Sequence, residues 1–240
     1  MPVLPFAQGD IEPVNDLRLI ISHIVQGIVD VFLPQKLIEP VEGIIITHQQ
    51  YFFDIMRDGW ASVGGGRVVV YDRLAVTILF GGIVLALAQR GCNVAVNYFR
   101  HREDAEQTAA DAEALGVKAA VIKANVAKED EIRGLVDEAA GRLGGVDIFV
   151  GNAASGVIKP ITDIDAKAWD WTLNINARSI LFGAQAAVPY MRQHGWGRII
   201  TITSIGSRRV FPEYGVVGVS KAAIEAATRY LAVELAPENI

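Results

Sequence analysis

Gly197-Arg-Ile-Ile-Thr-Ile-Thr-Ser204, followed after a short polar stretch by Pro212-Glu-Tyr-Gly-Val-Val-Gly-Val-Ser-Lys-Ala-Ala223, reads as a strand feeding a helix. The first run is apolar and β-branched, and beyond the second the apolar residues of 222–236 recur at the 3.6 period. Working outward, the same pairing repeats. Residues 93–98, 118–123, 146–150 and 198–203 read as strands, and 82–90, 102–115, 129–143, 166–193 and 212–236 as helices. A first strand is expected at 67–71 or 74–80. Strands and helices alternating over short connections predict an α/β fold with a doubly wound parallel sheet. Nearly continuous apolar strands fit a sheet covered on both faces. Ligands of such sheets bind beyond the carboxyl ends of the strands. The segments leaving those ends are Phe99-Arg100, Asn125-Val126, Gly151-Asn152-Ala153 and Ser204-Ile-Gly-Ser207, so the chemistry is expected there.

Composition narrows the function. The chain has 240 residues, 51% hydrophobic and 20% charged, which is globular rather than disordered. A net charge of −5 argues against a general nucleic-acid or membrane-surface binder, because counterion release needs clustered Lys and Arg and the chain has only pairs such as Arg208-Arg209. Cys92 is the single cysteine; it reads as a small buried residue, and a reducing, cytoplasmic setting is expected. No stretch reads as a membrane span: 17–33 is apolar but carries Arg18, His23, Gln26 and Asp30. Leu17, Ile20, Ile21, Ile24, Ile28, Val31 and Phe32 recur instead at helical spacing. A short strand is expected at 43–47 and a helix at 49–56. His23 and His48 lack a second ligand at useful spacing, so no metal site is expected. Ser62-Val-Gly-Gly-Gly66 marks a domain boundary, leaving 1–61 as an N-terminal extension of unknown role and 62–240 as the sheet domain.

Tyr214 and Lys221 stand at i and i+7 near the start of a helix. Two turns apart, they project from one face about 10 Å from each other along the axis, so a phenol and an ammonium can serve one cleft. Around them lie Gly151-Asn152-Ala153-Ala154 after a buried strand, Asn174 within Leu-Asn-Ile-Asn-Ala, and Ser204 at a strand end. In order and spacing these residues resemble the short-chain dehydrogenase/reductase family, over roughly 82–240. Most of that family carries Tyr-x3-Lys, which would need a Tyr where this chain has Val217; Tyr-x6-Lys resembles its enoyl-acyl-carrier-protein reductases. The wording 152–157, 169–172 and 228–235 looks like the NADPH-dependent branch called FabL, or enoyl reductase III. The longer spacing has a physical reason. An enoyl thioester takes hydride at Cβ while charge develops on an oxygen further along the conjugated system, so the acid must sit further off.

The resemblance implies a Rossmann-type fold and roles for particular residues. Lys221 would hold the nicotinamide ribose and favour ionisation of Tyr214, the proton donor. Ser204 would position substrate or its own loop, and Asn174 would order a helix kink and a water chain near Lys221. Asn125 and Val126 would lie beside the adenine, and Asn152 and Ala153 along the ribose, with Gly151 allowing close backbone approach. The second strand ends without an acid but with Arg100, which can pair with a 2′-phosphate and so favours NADPH over NADH. Trp169 and Trp171 are expected to pack in the core or an interface.

Two departures stand against this pattern. The family's first turn is Thr-Gly-x3-Gly-x-Gly, whereas this chain has Tyr71-Asp-Arg-Leu-Ala-Val-Thr-Ile-Leu-Phe-Gly-Gly82, leaving Gly81 and Gly82 to make a phosphate turn. Tyr71 to Ala75 can be written in codons that, read one base later, spell Thr-Thr-Gly-Ser-Arg, as compensating insertions and deletions would leave. The resemblance also implies a sixth and a seventh parallel strand and a substrate lid beyond Ile240, so the sheet is expected to lack the family's last two strands. The expected function is NADPH-dependent reduction of trans-2-enoyl thioesters, on acyl carrier protein or CoA, in fatty acid biosynthesis, by a homo-oligomer. The alternatives are a non-catalytic subunit-binding remnant of the family and, against Val217, a carbonyl reductase.

Overall fold

The computed structural model describes residues 44–47 and 73–240. One parallel sheet of five strands organises them: β1 (Ile44–Thr47), β2 (Val94–Tyr98), β3 (Ala119–Lys123), β4 (Ile148–Gly151) and β5 (Arg198–Thr201), in the order β3-β2-β1-β4-β5. The helices are α1 (Arg73–Ala88), α2 (Arg102–Glu113), α3 (Glu129–Leu143), α4 (Ala166–Leu173), α5 (Ser179–His194) and α6 (Gly215–Leu235). A π-helical turn, Asn174–Arg178, joins α4 to α5, and a 3₁₀ turn, Ile205–Ser207, follows β5. Because every pairing is parallel, all strands end at one edge, and the order reverses direction between β1 and β4.

The sheet is buried on both faces, and the two-residue period of the strands sorts their side chains. Val94, Val96, Ile148 and Val150 pack with Ile83, Val84 and Leu87 of α1 and the alanines of α2. Ala95 and Phe149 face the other way, onto Ile132, Leu135 and Val136 of α3 and Ala187 and Met191 of α5. α5 lies close on Phe149 because Gly183 has no side chain; a Cβ there would sit 2.3 Å from the ring. α3 carries Glu129, Asp130 and Glu131 in its first turn and Arg142 in its last, charges that complement the helix dipole, and it ends at Gly144 with φ of 98°. Cys92 is buried and its thiol is pushed up to about 11, chiefly by that burial, so it stays an unreactive thiol.

The beginning of the fold differs from the sequence expectation. Residues 74–80 lie in α1, not in a strand, since a short apolar run carries no periodicity that separates the two. The other candidate, 67–71, and the helices expected at 17–33 and 49–56, lie outside the described residues. The short strand expected at 43–47 is present as β1, and it occupies the middle of the sheet: Ile45 pairs with Ala95 on one side and Phe149 on the other. The sheet thus takes its central strand from within residues 1–61. The helix expected at 166–193 is interrupted by the π turn. Among the described residues no helix is long and apolar enough to cross a membrane, and no group of His, Cys, Asp and Glu could hold a metal ion.

Candidate active site

Three of the expected residues meet where β5 leaves the sheet. Tyr214 immediately precedes α6, and its carbonyl accepts the first helical hydrogen bond, from Gly218 N at 2.8 Å. Its hydroxyl lies 3.3 Å from Ser204 Oγ. The ring rests on the 3₁₀ turn: a Cβ on Gly206 would be 2.4 Å from Tyr214 Cε1, and one on Gly218 would be 2.7 Å from the Gly206 carbonyl oxygen. Phe211 meets the Tyr214 ring edge-on, with centroids 6.1 Å apart. Beside them a cavity of about 240 Å³ is lined by Val210, Phe211, Tyr214, Val219 and Ala222.

Burial moves the two ionisable groups in opposite directions, because it disfavours the charged form of each. The Tyr214 phenol is pushed up by burial and drawn partly back by the Ser204 hydroxyl. The Lys221 amine is pulled down from 10.5 to about 8, and Nζ donates to the Ile202 carbonyl at 2.9 Å. An amine in that range exchanges its proton near neutral pH.

Behind this pair stands a buried network that sequence reasoning placed two residues too early. Asn176, not Asn174, is the buried asparagine of the π turn. Asn176 Nδ2 donates to Ser155 O and to Ser220 Oγ, both at 2.8 Å, and Oδ1 accepts from Ser155 N at 2.7 Å. Trp171 Nε1 donates to Ser155 Oγ at 2.9 Å, a polar tether where only packing was expected. Trp171 and Asn176 are five residues apart, one turn of a π-helix but about 140° apart on an α-helix, so the wide turn lets both reach Ser155. Ser220 precedes Lys221, and the network therefore fixes the loop after β4, the π turn and α6 to one another. A signal for Asn176 existed: it shares the stripe of Ala168, Thr172, Ser179 and Gly183, whereas Asn174 lies off it.

At the opposite end of the edge, the expected nucleotide residues divide. Arg100 is exposed just beyond β2, its guanidinium 5.9 Å from the Phe99 ring, and no acid occupies the tip. Asn125 caps the turn after β3, with Oδ1 accepting from Ala127 N at 3.1 Å and its own N–H donating to Glu131 at 2.7 Å; Val126 is buried beside it. Asn152 is half-buried and Ala153 buried after β4. Gly151 is required by packing whatever else it does: a Cβ would lie 2.0 Å from Ile180 Cδ1. Gly81 and Gly82 make no turn. They lie inside α1, more than two turns from its start at Arg73, where their backbone is helical. Arg100 and the turn after β3 thus lie toward one end of the carboxyl edge and Lys221 at the other, and Gly81 and Gly82 do not supply the pyrophosphate turn expected of them.

Comparison with known proteins bears on the same residues. The family model described as enoyl-(acyl carrier protein) reductase matches residues 81–240. This chain belongs to the short-chain dehydrogenase/reductase family. It is 38% identical over 176 residues, 70% of its length, to 1-cyclohexenylcarbonyl-CoA reductase of Streptomyces collinus. It is 36% identical over 170 residues, 69% of its length, to dehydrogenase/reductase SDR family member 4 of Sus scrofa. The matches cover 62% and 61% of those two relatives, so the chain spans about three-fifths of the length of the curated reductases it resembles. Among solved structures, a short-chain dehydrogenase from Burkholderia cenocepacia in complex with NADP is 33% identical with a TM-score of 0.62, over 67% of this chain and 66% of that one. The Rossmann-type fold expected from the sequence is the fold of this family.

Proposed function

We propose that this chain reduces the carbon–carbon double bond of a trans-2-enoyl thioester, carried on CoA or acyl carrier protein, with NADPH as reductant. The observation that carries the reading is the placement of the acid. Tyr214 sits at the mouth of α6 against Ser204, one turn ahead of position 217. Position 217 holds a buried Val packed where a Cβ on Gly156 would lie 2.3 Å from it, so no phenol is presented there. Arg100 would hold the 2′-phosphate and Lys221 the nicotinamide ribose; the bound nucleotide supplies hydride to Cβ. Tyr214 delivers a proton to the oxygen on which negative charge collects, Ser204 orients the phenol for that transfer, and the resulting enol gives the saturated thioester by taking a proton at Cα and releasing the one on oxygen. Lys221, with a depressed proton affinity, can pass a proton inward from solvent as the phenol is spent. The apolar cavity beside Tyr214 suits the acyl chain.

The test is consumption of NADPH with crotonyl-CoA compared with a β-ketoacyl-CoA. The enoyl substrate is expected to be preferred. Tyr214→Phe should lower kcat by about a hundredfold or more with little change in KM, since the phenol acts on charge present only late in the reaction. An unchanged kcat in that variant would remove Tyr214 from the mechanism. The position of Gly81 and Gly82 inside α1 favours a second reading, a non-catalytic relative that binds another subunit. Calorimetry separates them, because only the reductase must bind NADPH.

A further inference from the structure

α6 faces the exit of β5 with more than its Tyr and Lys. Tyr214, Lys221, Glu225 and Thr228 follow at intervals of seven, four and three residues, which places them on one stripe of the helix. Each meets the same short length of chain. Thr228 Oγ1 lies 2.9 Å from Thr201 Oγ1, Lys221 Nζ donates to Ile202 O, and Tyr214 meets Ser204. Glu225 makes the densest of these contacts. Its Oε1 accepts from Thr203 Oγ1 at 3.0 Å and from Ser207 Oγ at 2.5 Å, and Oε2 accepts from Arg208 Nε at 3.4 Å. The carboxyl is held below its usual range first by Ser207, then by Thr203, with a smaller contribution from Arg208.

Thr203 and Ser207 bracket Ser204. Between them the backbone closes a 3₁₀ turn, Ser207 N to Ser204 O at 3.0 Å, whose Gly206 lies flat on the Tyr214 ring. One carboxylate oxygen tied to both ends of that turn leaves Ser204 little freedom to swing away from the phenol. The Glu225 side chain is 18% exposed, whereas Arg208 is 79% exposed and adds little. We propose that Glu225 is a positioning residue, whose carboxylate clasps Thr203 and Ser207 and so holds Ser204 Oγ against the Tyr214 hydroxyl. The clasp rests on the proposed roles of Ser204 and Tyr214. It requires an acceptor oxygen at 225 and does not require the charge.

The test is titration of the Tyr214 phenol by NMR in protein carrying ¹³C-labelled tyrosine, with the signal assigned through Tyr214→Phe. In Glu225→Ala the Ser204 contact loosens and the phenol should titrate at higher pH than in the unaltered protein, because the hydrogen bond favouring its ionised form is weakened. Glu225→Gln, which keeps an acceptor oxygen, should restore the original titration. A residue that merely stabilises the fold would lower the melting temperature and leave the phenol unmoved. An unchanged titration in a folded Glu225→Ala overturns the proposal. If that variant does not fold, the double variant Thr203→Val/Ser207→Ala removes both donors and leaves Glu225; it should shift the phenol the same way, and no shift would overturn the clasp. Where turnover is measurable, Glu225→Ala should lower kcat about tenfold, the equivalent of one lost hydrogen bond, at constant KM for NADPH. The titration needs no turnover, so a protein that reduces no enoyl thioester would count against the proposed activity and leave the clasp tested separately.

Discussion

The two ends of the sheet edge are built by different means. At the β5–α6 end, polar side chains hold the surroundings of Ser204, Tyr214 and Lys221 together: Glu225 is tied to the turn, and Asn176 to Ser155 and Ser220. At the β1–α1 end, Gly81 and Gly82, which were expected to make a phosphate turn, lie instead inside the helix that begins at Arg73. The difference teaches that proton-handling geometry can be fully specified by side chains, while phosphate binding depends on bare backbone, which no side-chain network replaces.

The comparison is broken most directly at Asn176. Asn176→Ala strands Ser155 N and Ser155 O in a buried site, while Ser220 Oγ keeps its bond to the Val217 carbonyl, and unfolding free energy in urea should fall by about 3 kcal/mol. A loss below about 1 kcal/mol would show that the network is not what fixes this end.

Lys221 gives the next effect. Its amine titrates near 8 in the folded protein against 10.5 ordinarily, so between those values the unfolded chain binds more protons and stability must rise with pH; below about 8 the full cost of the buried cation is carried. Lys221→Met should therefore be more stable at pH 7 by up to about 3 kcal/mol, and its stability should lose the rise between about pH 8 and 10. Thermal melts across that range decide it.

On the other end, introducing Thr-Gly-x3-Gly-x-Gly within 71–81 should strengthen NADPH binding about a hundredfold by calorimetry, the equivalent of two charge-assisted N–H···phosphate bonds. Micromolar binding by the unaltered chain would show that another segment already supplies the cradle. The smallest effect belongs to Arg100→Ala, which should weaken NADPH about tenfold and leave NADH nearly unchanged; equal weakening of both would separate Arg100 from the 2′-phosphate.

Legibility in the sequence followed the same divide. From β2 to α6 the strands and helices are recognisable because apolar runs alternate with 3.6-period stretches and turn residues punctuate them. Tyr214, Ser204 and Lys221 were visible as a constellation because a helix face and a strand end fix where they point. The Asn was displaced because two asparagines, Asn174 and Asn176, lie two apart, on nearly opposite sides of a helix, and residue type alone does not choose between them. The packing role of Gly151 was not legible, because absence of a side chain looks the same whether a ligand or Ile180 fills the space. At the front, Ile44–Thr47 was legible as a strand but not as the central one, since its partners Val94 and Ile148 are distant in sequence and pairing is a tertiary choice.

The π turn between α4 and α5 carries a consequence for how this chain can vary. A π turn holds one residue more than the α-helix around it needs, so deleting a single residue within 174–178 would restore a regular helix. Trp171 and the asparagine would then stand four residues apart, within about 40° of one another on a regular helix, and α5 would keep nearly its present direction. A gap of one here is therefore absorbed locally, provided that the residue removed is not Ile175 or Asn176, whose side chains are buried. A gap of one elsewhere in α4 or α5, where no extra residue is held, would turn every later side chain by about 100°.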